Sequence, residues 1–123
     1  MASPPPVSAA RKGLVFLFAA AVTATFIINL CAAVFACGCR ALWAGAAEHC
    51  NIHAAGGRHC PWCSYGHGGF PLALGLILAA QLAVCIWPSG WGWRMRLVVA
   101  LALFPGAGVV VGVLYGLVSG YWA

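Results

Sequence analysis

Residues 13–36 read GLVFLFAAAVTATFIINLCAAVFA, a stretch with no acid, no base and no proline. As a helix rising about 1.5 Å per residue it is roughly 35 Å long, enough to cross the hydrocarbon core of a bilayer. Its apolar length exceeds the roughly 7–15 residues of a secretory signal core, so it reads as a span and not as a leader. Arg11 and Lys12 stand directly before it, after a proline-rich start, MASPPPVSAA. Residues 1–12 are therefore expected to form a disordered tail.

Two further apolar runs follow. Phe70 to Trp87 would be about 26 Å long as a helix, at the short end for a span. Pro71 suits its first turn and Pro88 its stop. Leu97 to Trp122 forms the third run, which Pro105 and Gly106 interrupt; a kink or local unwinding is predicted there. The expected fold is an all-α integral membrane protein with three transmembrane helices, about 13–36, 70–87 and 97–122. They form a single membrane domain, 13–123. A long Cys/His-rich loop, 37–69, joins the first two helices, and a tight connection, 88–96, joins the last two.

Composition agrees. Of 123 residues, 64% are hydrophobic and 6% charged, with a mean hydropathy of +0.99. An average soluble domain carries about 25% charged residues, so this chain lacks the charge to cover a water-facing surface. Its six Lys and Arg face a single acid, Glu48. The bases are few and flank apolar runs, so they speak of topology and not of nucleic acid. One carboxylate excludes hydrolysis by a carboxylate pair. There is no Ser/His/Asp arrangement and no phosphate loop.

Arg11, Lys12, Arg94 and Arg96 fall on one side of the expected membrane, Arg40 and Arg58 on the other. The positive-inside bias then puts the N-terminus in the cytoplasm and the Cys/His loop and C-terminus outside, in a bacterial inner membrane. Trp87, Trp91 and Trp93 would mark the inner interface, and Trp43, Trp62, Tyr121 and Trp122 the outer one. No Asp, Glu, Lys, Arg or His lies within the spans so drawn. This argues against a proton-coupled transporter and against haem held by transmembrane histidines. Asn29 and Gln81 sit at different depths, so each is expected to bond elsewhere across helices or to a backbone carbonyl. Cys31 and Cys85, inside spans, read as small apolar packing residues.

The third helix carries Gly108, Gly112, Gly116 and Gly120 at four-residue spacing, a glycine zipper on which another backbone can approach closely. Gly75, Ala79 and Ala83 make a shorter version on the second. The zipper could serve this chain, a second copy or a larger membrane complex; a homo-oligomer or complex through the third helix is expected.

Chemistry concentrates in the loop. HCNIH at 49–53 and HCPWC at 59–63 are two similar halves ten residues apart. His49 matches His59, Cys50 matches Cys60, and His53 matches Cys63. Each half offers a pair spaced to chelate one soft or borderline metal ion. Cys37-Gly-Cys39 adds a third pair, and His67 a further imidazole. The simplest ligand set is Cys50, His53, Cys60 and Cys63; a rival set joins Cys37 and Cys39 to Cys60 and Cys63. Thiolate with imidazole suits zinc or copper, and sulfur-rich sites favour Cu(I). A c-type haem is excluded, because Ser64 and not histidine follows Cys63. Structural disulfides outside the cytoplasm are the competing reading.

The CPWC ahead of a helix, Cys60 to about Leu82, also resembles the bacterial disulfide-forming quinone reductases and, more distantly, vitamin K epoxide reductases. The resemblance implies a redox pair, Cys60–Cys63, working with a quinone. Those enzymes are four-helix bundles with a second cysteine pair, whereas three helices are read here. Gly66 and His67 stand where their quinone-facing arginine is expected. The sequence thus points first to a metal-handling accessory or small subunit of a membrane complex. The alternatives are a thiol–disulfide oxidoreductase and a disulfide-stapled packing subunit.

Overall fold

The computed structural model describes residues 7–88 and 90–123; most of the expected tail, residues 1–6, lies outside the described residues. Helix α1 spans Ala9–Phe35, the short α2 Pro61–Ser64, α3 Phe70–Ile86 and α4 Trp93–Ser119. Between α1 and α3 the chain makes single 3-10 turns at Leu42–Ala44, Ala46–His49, Asn51–His53 and Gly66–Gly68. Three helices are long and apolar enough to cross a membrane, and no strand occurs among the described residues. They pack pairwise against one another.

Each long helix buries one stripe at four-residue spacing. On α1 it is Val15, Ala19, Thr23, Ile27, Cys31 and Phe35; on α3 it is Ala73, Ile77, Gln81 and Cys85. The remaining faces expose Leu14, Leu17, Phe18, Leu76, Val110 and Val118. Helices that are hydrophobic all round are at home in lipid and not in water.

A polar knot ties the three helices between two apolar clusters. Gln81 Nε2 donates to Thr23 Oγ1 at 2.8 Å and to the Ala100 carbonyl at 2.9 Å. The Thr23 hydroxyl reaches the Ala19 carbonyl at 2.9 Å. Gln81 thus bonds both across helices and to a carbonyl, as expected; Asn29 lies exposed on α1.

Several expectations change. α1 starts at Ala9, where Ser8 caps it by accepting from the Arg11 amide at 3.2 Å, so Arg11 and Lys12 belong to the helix. α4 starts at Trp93, four residues before the run that sequence assigned to it, and takes in Arg94 and Arg96. The helices thus run past the uncharged stretches and carry these charged residues at their ends. Arg96 is buried and folds back on the preceding connection, donating to the carbonyls of Cys85 (2.8 Å), Pro88 (2.6 Å) and Trp91 (3.2 Å). It satisfies carbonyls left open where α3 ends, at the helix pole that favours a cation. Pro105 does not break α4, which is helical from Trp93 to Ser119.

Three of the four zipper glycines are buried inside the chain. A Cβ on Gly108 would meet Leu30, one on Gly112 would meet Val34 and Trp62, and one on Gly116 would meet Trp122. Any second copy or partner on α4 would therefore meet its Val- and Leu-bearing face. Gly120 is instead the left-handed cap of α4, with φ +71°. The chain reverses there, so Tyr121 and Trp122 fold back and do not extend the helix. On α3, Gly75 faces open space, so the Gly75–Ala79–Ala83 stripe is not the packed one.

Candidate metal centre

The centre lies at the end of the bundle where α1 finishes and α3 begins. Cys31, one turn before the end of α1, shares the buried stripe with Ile27 and Phe35. The helix stops at Ala36, whose left-handed conformation (φ 49°) turns the chain back over its own end. Cys37 and Cys39 follow, on either side of Gly38. That glycine has φ +90°, and a Cβ there would lie 2.6 Å from the His49 carbonyl oxygen. Only glycine allows this close crossing without strain.

Asn51 assembles the rest. Its amide donates to the Cys37 carbonyl at 2.8 Å, which brings the neighbouring Cys50 over the end of α1. Its Oδ1 accepts from the Cys60 amide at 2.7 Å, and its Nδ2 donates to the Tyr121 hydroxyl at 2.9 Å. Tyr121 in turn donates to the Phe35 carbonyl at 2.6 Å. One residue, through its main-chain N–H and its side chain, thus links both cysteine-bearing halves of the loop, the end of α1 and the C-terminal turn. Cys60 precedes α2, and Cys63 lies within it. The fully buried Trp62 between them packs edge-on against Phe35.

Six of the seven cysteines meet here as free thiols. Sγ of Cys31 lies 3.2 Å from that of Cys60 and 3.7 Å from that of Cys37; Cys37 and Cys39 are 3.4 Å apart. Four trios have all their sulfurs within 4.8 Å of one another: Cys31–Cys37–Cys60, Cys31–Cys39–Cys63, Cys37–Cys39–Cys50 and Cys50–Cys60–Cys63. Such trios could hold a metal ion. Cys31 and Cys60 are fully buried and Cys63 is half-buried. Thiol hydrogen bonds from Cys31 and Cys60 pull Cys63 down to about 5, and those from Cys31 and Cys37 lower Cys60. Burial pushes Cys39 and Cys50 up. Cys60 and Cys63 form the more acidic edge of the cluster.

Of the simplest ligand set, Cys50, Cys60 and Cys63 come together as one trio. His53 is exposed, and its Nε2 donates to the Ala47 carbonyl at 2.9 Å. His59 is likewise exposed and bonds the Ala54 carbonyl at 3.2 Å; His49 and His67 are exposed too. Every trio is all cysteine. Of the rival set, Cys37 and Cys39 share one trio, but Cys60 and Cys63 share another.

Cys31 corrects the reading of intramembrane cysteines as mere packing. Its place on the buried stripe was legible in the four-residue spacing, but its partners come from the loop. Cys85 keeps the packing role, at the other end with Val15, Ala19 and Ala100. Asn51 and Tyr121 are further site residues that sequence reasoning passed over. An apolar cavity of about 250 Å³, walled in part by Ile28, Ile52 and Phe70, reaches Cys31, Cys39 and Cys63. The chain matches no protein-family model, no curated protein and no solved structure.

Proposed function

We propose that this is a membrane protein that binds copper as Cu(I) at a buried thiolate centre, and that it handles the metal for a metalloenzyme or a larger membrane complex. One observation carries the reading: six thiols from four chain segments gather at one end of the bundle, in overlapping trios whose sulfurs lie within 4.8 Å of one another. Thiolates are soft donors that select Cu(I), with zinc the second choice. The fold supports a membrane protein. Arg11, Lys12, Arg94 and Arg96 lie toward one end of the bundle and Arg40 and Arg58 toward the thiol end; this supports a cytoplasmic N-terminus and an external metal centre.

The test is metal analysis of the full chain, purified anaerobically and reduced. Wild type is expected to retain copper, Cys60→Ser to lose it, and His53→Ala to keep it. An impermeant thiol reagent is expected to reach the metal-free loop from outside intact cells. A second reading, thiol–disulfide exchange with a quinone at Cys60–Cys63, draws on the acidity of Cys63 and the apolar cavity beside it. It replaces the first if the reduced protein takes up no metal and Cys60–Cys63 cycles with a quinone.

A further inference from the structure

The four trios are related in a specific way. Each cysteine belongs to two of them, any two trios share one cysteine, and no pair of cysteines recurs. Three pairs share no trio: Cys31 with Cys50, Cys37 with Cys63, and Cys39 with Cys60. The four trios thus hold all twelve other pairs within 4.8 Å. With the three remaining pairs as opposite corners, the six sulfurs have the connectivity of an octahedron, and these four trios are one of its two sets of alternate faces.

We infer that the six cysteines hold one thiolate-bridged cluster of four Cu(I) ions, one on each trio. The inference rests on the copper reading above and adds nuclearity and ligand assignment. Cu(I) accepts three thiolates in a plane. A triangle of sulfurs about 4 Å on a side puts its centre about 2.3 Å from each, an ordinary metal–thiolate bond length. The closest sulfur pairs here are 3.2, 3.4 and 3.7 Å apart, and all pairs within a trio are within 4.8 Å. Each sulfur then bridges two metals and no donor is left over.

A single zinc ion fits less well. It takes four donors in a tetrahedron whose sulfurs, at bonds of about 2.3 Å, are all about 3.8 Å apart. Any four of these six cysteines include one of the opposite pairs, and no histidine supplies a fourth donor to a trio. Loading balances without redox change. Counted from the fully protonated cluster, six thiols release six protons and four Cu(I) ions enter, leaving a cluster of charge −2 near the loop that carries Arg40 and Arg58; a cysteine already ionised, such as Cys63, releases none on loading.

The reduced full-length protein in detergent would be titrated with Cu(I), under inert gas, against a Cu(I) chelator. The expected result is a cooperative end point at four Cu(I) per chain, one for each trio. X-ray absorption should show three sulfur neighbours per copper and a short copper–copper vector. An alkylating reagent should find no reactive thiol in the folded, loaded protein, because six cysteines hold copper and Cys85 is buried, whereas Cys63 should react in the metal-free protein. An end point below four without a copper–copper vector, or one ion held by four sulfurs, overturns the cluster while leaving a thiolate metal site standing. Failure to take up any Cu(I) overturns the copper reading itself. Cys31→Ser removes a corner shared by two trios, so capacity should fall from four to two; Cys85→Ser should keep four. If Cys31→Ser does not fold, the wild-type end point and copper–copper vector still decide.

Discussion

Gly112→Ala tests whether the packing of α4 sets the architecture around the thiols. An added Cβ would lie 2.9 Å from Val34 Cγ1, 3.5 Å from Trp62 Cζ2 and 3.7 Å from Phe35 Cζ. Carbon pairs prefer about 3.5–4.0 Å. Valine is stiff about χ1 in a helix, so the relief must come from a shift of α4 or α1. Overpacking of this kind costs about 1–3 kcal/mol. Alanine also gains up to about 1 kcal/mol of helix propensity over glycine. Gly106→Ala makes the same gain on the same helix, but its Cβ meets nothing within 4 Å. The propensity gain cancels between the two variants, so Gly112→Ala should be the less stable by about 1–3 kcal/mol. Reversible unfolding in mixed micelles, followed by helical circular dichroism, measures the difference. Gly112→Leu should go further, prising α4 from Trp62 and lowering metal capacity. Equal stability of the two alanine variants, with full capacity in Gly112→Leu, would refute the argument.

The polar knot predicts a modest effect. Gln81→Leu loses the bonds to Thr23 and Ala100, and at about 0.6 kcal/mol per interhelical bond in a membrane the cost should be about 1 kcal/mol; a gain in stability would contradict it. For Cys63, lowered to about 5, the thiolate exists above that pH and is lost below it. Alkylation of Cys63 in the reduced, metal-free protein should therefore rise between pH 4 and about 6 and then level off, since the thiolate is the nucleophile. A rate still climbing tenfold per unit above pH 7 would show an ordinary thiol.

Much of the loop's composition was legible in advance, and less of its geometry. The repeated HCNIH and HCPWC placed Cys50, Cys60 and Cys63 at one site, and these do form a trio. The same repeat made His53 look equivalent to Cys63, because spacing along a chain says nothing about which way a ring turns. His53 turns to the Ala47 carbonyl. Cys31 looked like packing because periodicity describes a helix face and not what a distant loop lays against it.

Three helices long and apolar enough to cross a membrane follow from sequence by itself. In hydrocarbon every backbone amide must find its partner within the segment, so a long uncharged run has little choice but helix, and length alone decides whether it spans. Helix ends depend on partners from elsewhere in the chain. Arg96 joins α4 because the carbonyls of Cys85, Pro88 and Trp91 receive it. The thiol cluster depends still more on contacts distant in sequence. It forms because α1 ends in a left-handed turn, Gly38 lets two strands of loop cross, and Asn51 and Tyr121 bind the loop and the C-terminal turn to the end of α1. Those hydrogen bonds join residues as far apart as 35 and 121, and only the folded chain brings them within reach.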